Sequence, residues 1–363
     1  MINLENVTKY YGNKLAVDNL SFNVIGGEVS VLIGPSGCGK TTTLRMINRL
    51  IEPSSGQIFV NGHDTSQSKP EELRKSIGYA IQSVGLFPHM TVAENIAVVP
   101  ELLHWEKSRI STRIEELLAL VGLNPAEYTR KYPIQLSGGE AQRIGVARAL
   151  AADPPILLMD EPFGAVDPLT RERLQAQFIR IQQEIKKTII LVTHDLDEAI
   201  RLADRIVIME AGKLVQYDTP EVILSKPANK FVHDFIGTDR ALKRLSRISI
   251  ESFVKLPASV KVSAPVNELH QVCRQCQWVW VVDDDERLIG WVDKTNVSEV
   301  TSVREALVQV DPNEVAVTSS ATLREALSRM LGQGMKAVPV VDTEIRLIGE
   351  VTLPDVEAAT AEE

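Results

Sequence analysis

Apolar residues recur along this chain on two different spacings. Short, almost wholly apolar runs stand at EVSVLIG (28–34), Ile156–Met159, Thr188–Thr193 and Arg205–Met209, each closed by a glycine-rich, polar or charged turn. Such runs, bounded by turn residues, predict strands. Between them the spacing lengthens to that of a helix. Ile110, Ile114, Leu117, Leu118 and Val121 fall on one helical face, and so do Leu174, Phe178, Ile181 and Ile185. Asp167-Pro168 opens the second of these as cap and first helical residue. Strands alternating with helices predict an α/β domain built on a largely parallel sheet.

After residue 237 the pattern changes. DRALKRLSRISI (239–250) reads as a basic helical connector, and an internal repeat follows it. WVWVVDDDERLIGWVDKTNV (278–297) aligns without gaps to AVPVVDTEIRLIGEVTLPDV (337–356), with ten of twenty positions identical. Each copy reads as two β-rich runs around an acidic turn, closing on a helix start. A helical stretch marked by Leu323, Ala326, Leu327 and Met330 precedes the second copy. Two copies are too few for a solenoid and predict a pseudo-two-fold pair. The expected organisation is a domain over 1–237, a connector helix over 238–255, and α+β modules over 256–300 and 301–363.

Composition narrows the function. A net charge of −9 argues against a nucleic-acid partner, which favours a basic surface. No apolar run approaches the ~20 residues needed to span a bilayer, so membrane contact is expected through partners. The N-terminus lacks the basic-then-apolar pattern of a signal peptide, and with three cysteines the expected compartment is the reducing cytoplasm. Cys273-x-x-Cys276 has no second ligand pair for a tetrahedral zinc site and reads as two semi-buried thiols on one helix face.

The chemistry starts at Gly34-Pro35-Ser36-Gly37-Cys38-Gly39-Lys40-Thr41, between a strand and a helix, with Thr42 following. This is G-x-x-x-x-G-K-[ST]: glycines let backbone N–H groups face phosphate oxygens, the lysine meets the β- and γ-phosphates, and the threonine hydroxyl is suited to Mg²⁺. ILLMDEP (156–162) sets two carboxylates at a strand end, Asp160 for Mg²⁺ and Glu161 for the attacking water. His194 closes the run 188–193, and Gln82 follows the strand-like GYAI. Alone, each would pass as structural; together they read as a γ-phosphate site. LSGGE (136–140), with Ser137, Gly138 and Gly139, opens a helix and makes a second anion-binding N-terminus. One triphosphate does not need two such sites from one chain, which points to a second subunit.

In these motifs and their order, residues 1–237 resemble the ATP-binding cassette (ABC) family. The resemblance implies a P-loop ATPase with a helical subdomain, working as a homodimer with ATP and Mg²⁺ at a shared interface. Tyr11 matches the aromatic that stacks on adenine. Ser137 and Gly139 would touch the partner subunit's ATP, and Gln82 would serve Mg²⁺ and hydrolysis beside Glu161 and His194. Asp167 would cross the interface, although a helix cap explains it equally well. Glu140 and Ala141 stand where the family often has glutamines.

The segments 46–53, 80–105 and 192–209 resemble the ATPases of osmoprotectant importers for glycine betaine, carnitine, choline or proline. That resemblance implies integral-membrane permease subunits, a solute-binding protein reached through the complex, and a peripheral position on the cytoplasmic face. Importers of other small solutes share parts of these segments and remain the alternative. The repeats look like cystathionine-β-synthase (CBS) modules. Thr352 and Asp355 are candidates for an adenine-nucleotide ligand; the first copy has Asp293 where the hydroxyl should be, and a ligand-free dimerisation clamp is the competing reading. ABC proteins of DNA repair interrupt the cassette with a coiled coil, and those of translation carry two cassettes. Neither pattern is present.

Overall fold

The computed structural model describes residues 2–81, 85–164, 166–274, 276–297 and 300–361. The chain divides into two compact units, Met1–Ile236 and Gly237–Glu363.

In the first unit, β1 (Ile2–Tyr11), β2 (Lys14–Val24), β4 (Ser55–Val60) and β5 (His63–Asp64) form an antiparallel sheet in the order β2-β1-β4-β5. The main sheet runs β10-β9-β3-β8-β7-β6. Its members are β3 (Val29–Ile33), β6 (Ile77–Ala80), β7 (Ile156–Asp160), β8 (Thr188–Val192), β9 (Arg205–Glu210) and β10 (Lys213–Asp218). Every neighbouring pair is parallel except β9–β10.

The apolar runs show no alternation because both faces of this sheet are covered. Val31, Leu157, Met159, Ile189 and Leu191 turn toward the helices Val92–Leu102, Lys107–Leu120 and Gly138–Leu150. Leu32, Leu158, Ile190 and Val192 turn the other way, onto the helix Lys40–Ile47 and the antiparallel sheet. Successive strand residues thus feed opposite cores, and the central strands β3, β7 and β8 are held at a fixed height.

In the second unit the repeat becomes two matching hairpins. β11 (Ser259–Lys261) runs parallel to β12 (Trp278–Val282), which pairs with β13 (Leu288–Asp293); β15 (Val317–Thr318) runs parallel to β16 (Ala337–Val341), which pairs with β17 (Leu347–Thr352). The registers coincide, Val281 opposite Gly290 and Val340 opposite Gly349. The turns coincide as well. Asp283 Oδ1 accepts from the amides of Asp285 and Arg287, and Asp342 Oδ1 from those of Glu344 and Arg346. Glu286 and Ile345 both take positive φ, 67° and 65°. The two turns then bond to each other, Leu288 N to Ile345 O at 3.0 Å and Leu347 N to Glu286 O at 3.0 Å. This reciprocal pairing is the pseudo-two-fold relation.

Three details depart from the sequence reading. The connector expected as a helix over 238–255 is helical over Arg240–Leu245, and Leu245 and Ile250 are buried in the core built by residues 317–359. Lys255 also bridges to Glu350 on β17. The module boundary at 300/301 shifts too. Val303 and Ala306 pack with Val260, Val279 and Val292 of the first module, and β14 (Val308–Gln309) pairs with β13. Finally, the first hairpin closes on a single 3₁₀ turn, Lys294–Asn296, because Asp293 accepts from both the amide and the hydroxyl of Thr295. The second closes on the helix Leu353–Ala361.

Candidate functional site

β3, β8 and β7 are adjacent and parallel, so their C-terminal ends open on the same edge. The phosphate loop leaves β3 there, Asp160 and Glu161 leave β7, and Thr193 and His194 leave β8.

The loop's glycines are required by close approach. A Cβ on Gly34 would stand 2.1 Å from Met209 O, and one on Gly39, at φ 106°, would stand 2.6 Å from Ala16 O. Gly37 also has positive φ, 81°. The backbone can therefore wrap with its amides inward, which a side chain would block. Lys40 is buried and donates to Gly34 O at 2.7 Å and Pro35 O at 3.1 Å. Its ammonium is thus folded back onto the start of the loop, ahead of Ser36. Cys38 is buried beneath that ammonium, and burial pushes its thiol up while Lys40 pulls it down.

Thr41 Oγ1 donates to Asp160 Oδ1 at 3.1 Å, joining the loop to β7. Burial pushes the Asp160 carboxyl up, the Thr41 hydroxyl draws it down, and the neighbouring Glu161 raises it again. A buried carboxylate beside a hydroxyl, with its charge disfavoured, is a hard oxygen site that a small divalent cation would satisfy. The donors fit Mg²⁺.

Glu161 sits at φ 48°, a region unusual for a non-glycine residue, and its amide donates to Val192 O at 2.9 Å. Its carboxylate lies 3.3 Å from His194 Nδ1. The turn that carries His194 is tightly made. Thr193 N donates to Leu32 O, Asp195 N donates to Thr193 Oγ1 at 3.0 Å, and Thr193 Oγ1 donates to the buried Glu198. Asp195 caps the helix Leu196–Leu202. Sequence reading missed Thr193, Asp195 and Glu198; an acid three residues after a cap candidate was the available signal. Here Glu198 turns inward to Thr193.

Ser137 caps the signature helix in a reciprocal box: Ser137 Oγ accepts from Glu140 N at 3.3 Å, and Glu140 Oε2 accepts from Ser137 N at 2.7 Å. Ser137 and Gly138 are exposed. Gly139 is needed because a Cβ there would stand 2.9 Å from Val166 Cγ1. Tyr11, at the end of β1, keeps an exposed ring with Lys9 Nζ 5.4 Å from its centroid. Asp167 is exposed and caps the helix Pro168–Ile185, accepting from Thr170 N at 3.0 Å. Gln82 lies outside the described residues.

The second candidate site is engaged internally. Asp355 is buried and accepts from the amide and hydroxyl of Thr352 and from the ammonium of Lys255. Cys273 is buried in the first module's core and Cys276 is half-buried. Among the described residues no cluster of three or more histidine, cysteine or acidic side chains is placed to hold a metal, and no helix is long and apolar enough to cross a membrane.

Residues 17–164 match the family described as "ABC transporter", and residues 303–361 the one described as "CBS domain". The chain is 47% identical to the choline transport ATP-binding protein OpuBA of Bacillus subtilis over 360 residues, 97% of this chain and 94% of the relative. It is 45% identical to the osmoprotectant import ATP-binding protein OsmV of Salmonella typhimurium over 361 residues, again 97% and 94%. It is 52% identical to the glycine betaine uptake system ATP-binding protein YehX of Escherichia coli over 256 residues, 70% and 83%. Among solved structures, a dimeric bacterial ABC transporter cassette matches with TM-score 0.57 and 34% identity, over 61% of this chain and 99% of that one. A dimeric ATP-binding cassette in a post-hydrolysis state, bound to ADP and Pi, matches with TM-score 0.56 and 32% identity, again over 61% and 99%.

Proposed function

The chain belongs to the ATP-binding subunits of ABC transporters, and from that premise we propose that it drives the import of osmoprotectants: the quaternary amines glycine betaine, carnitine and choline, or proline. The supporting relatives carry names in that substrate class along nearly the whole chain. The observation that carries the ATPase reading is the meeting of Lys40, Thr41, Asp160, Glu161 and His194 at one edge of the sheet, with Thr41 bonded to Asp160 and Glu161 beside His194.

Lys40 and the loop amides hold the phosphates of ATP, and Tyr11 stacks on the base. Thr41, Asp160 and Gln82 would hold Mg²⁺, which would supply positive charge to offset that of the phosphates. Glu161 accepts the proton of the attacking water, and His194 orients Glu161 and the γ-phosphate. Ser137 and the glycines after it cap the ATP of a second copy, so two ATPs lie at a homodimer interface that Asp167 crosses. Closure and reopening of that dimer move permease subunits, which receive solute from a binding protein. The chain itself rests at the cytoplasmic face through those subunits. The CBS modules regulate the motor, with Thr352 and Asp355 as the place for an adenine nucleotide; any such ligand has to compete with Lys255.

The test is uptake into proteoliposomes holding the chain, its permease and its binding protein, comparing the four solutes. ATP-dependent entry of at least one, abolished by Lys40→Ala, is expected. Entry of none, with ATPase activity intact, would move the motor to another solute.

A further inference from the structure

Arg171, in the first turn of the helix Pro168–Ile185, makes its side-chain bonds outside the helix. Arg171 Nη2 donates to Val166 O at 3.2 Å, and Arg171 Nη1 lies 3.5 Å from Asp195 Oδ2. Each partner is itself part of the machinery. Val166 is buried, and its Cγ1 occupies the space a side chain on Gly139 would need, so it packs on the signature. Asp195 adjoins His194, and its amide is bonded to Thr193 Oγ1. Val192, at the start of the same turn, accepts the amide of Glu161. The guanidinium therefore spans two segments: one that packs on the signature, the other carrying His194 and bonded through Val192 O to the amide of Glu161.

Among the described residues, the buried atoms Arg171 Nε and Glu198 Oε1 have no hydrogen-bond partner. The first is a donor and the second an acceptor, and the two side chains are close enough to interact electrostatically.

We propose that Arg171 is a positioning residue for hydrolysis: it ties the Gly139–Val166 contact to the Asp195 turn, so that capture of a partner's ATP at the signature is transmitted to Glu161 and His194 of the same chain. The inference rests on the composite-dimer reading given above. A lysine cannot replace the arginine, because one ammonium does not span a carbonyl and a carboxylate on opposite sides of a planar fork.

The experiment is a cycle of Arg171→Lys, Asp195→Asn and the double variant in the full-length chain. The asparagine keeps the helix cap at Oδ1 while removing the charge that Arg171 meets. ATP hydrolysis gives kcat and KM, and ATP-dependent dimerisation is followed by sedimentation in a Glu161→Gln background. Each single change should lower kcat about tenfold with KM within twofold, and the double should lose no more than the worse single. Dimerisation should be unchanged. Multiplied losses, a loss confined to KM, an unaltered kcat, or a dimer that no longer forms in the Arg171 variant would each overturn the tie. If the Glu161→Gln parent itself stays monomeric with ATP, the composite site is what fails, while the kcat cycle still judges Arg171.

Discussion

Burial raises the Glu198 carboxyl from 4.5 to about 7; Thr193 and the charges of Arg171 and His194 oppose this, and Asp195 adds to it. An acid raised on folding binds its proton more tightly in the folded chain, so unfolding releases that proton. Stability is then greatest at low pH and falls as pH climbs from 4.5 through about 7. With those two values the loss between pH 5 and 8 comes to about 2.5 kcal/mol. In Glu198→Gln the side chain cannot titrate and this slope should vanish. In calorimetry the relevant transition is the one MgATP displaces. For a unit of 236 residues, about 2.5 kcal/mol corresponds to roughly 5–10 °C. The melting temperature of the variant minus that of the wild type should therefore rise by that amount from pH 5 to pH 8. A difference that stays constant across that range would refute the burial argument.

Replacing Glu161 by Gln should lower turnover by about 10²-fold or more while ATP remains bound, because Lys40 and the loop amides act independently of it; parental hydrolysis would remove Glu161 from the role. Mixing Ser137→Arg chains with Lys40→Ala chains should restore one composite site of two, measured as ATPase activity of the mixture; no recovery would contradict sharing of sites between chains. Truncation after Gly237 should leave ATPase activity in place, since both cores of the first unit lie within residues 1–236; loss of hydrolysis in a folded fragment would make the second unit part of the motor.

The loop, carboxylates and histidine that meet at one edge of the sheet were legible from sequence because a phosphate loop is a local device. Its glycines, lysine and threonine lie within eight consecutive positions, and the apolar runs before Gly34, Asp160 and His194 mark the strands that deliver them. The hairpin repeat was legible for the same reason, its acidic turn and apolar flanks being short and continuous. Tertiary structure decided the rest. DRALKRLSRISI reads as a basic helical connector, yet Leu245 and Ile250 are drawn into a core whose other buried members lie about seventy or more residues away. The T-x-x-D of the second module reads as a ligand site, yet Lys255 reaches Asp355 across a hundred positions. Arg171, Asp195 and Glu198 look like ordinary charges on helices. Only the fold shows that one bridges two loops and another is buried without its full set of bonds. A motif is read from neighbours in the chain, whereas burial and ion pairing depend on neighbours in space, and those are set by how the strands of the sheet are ordered.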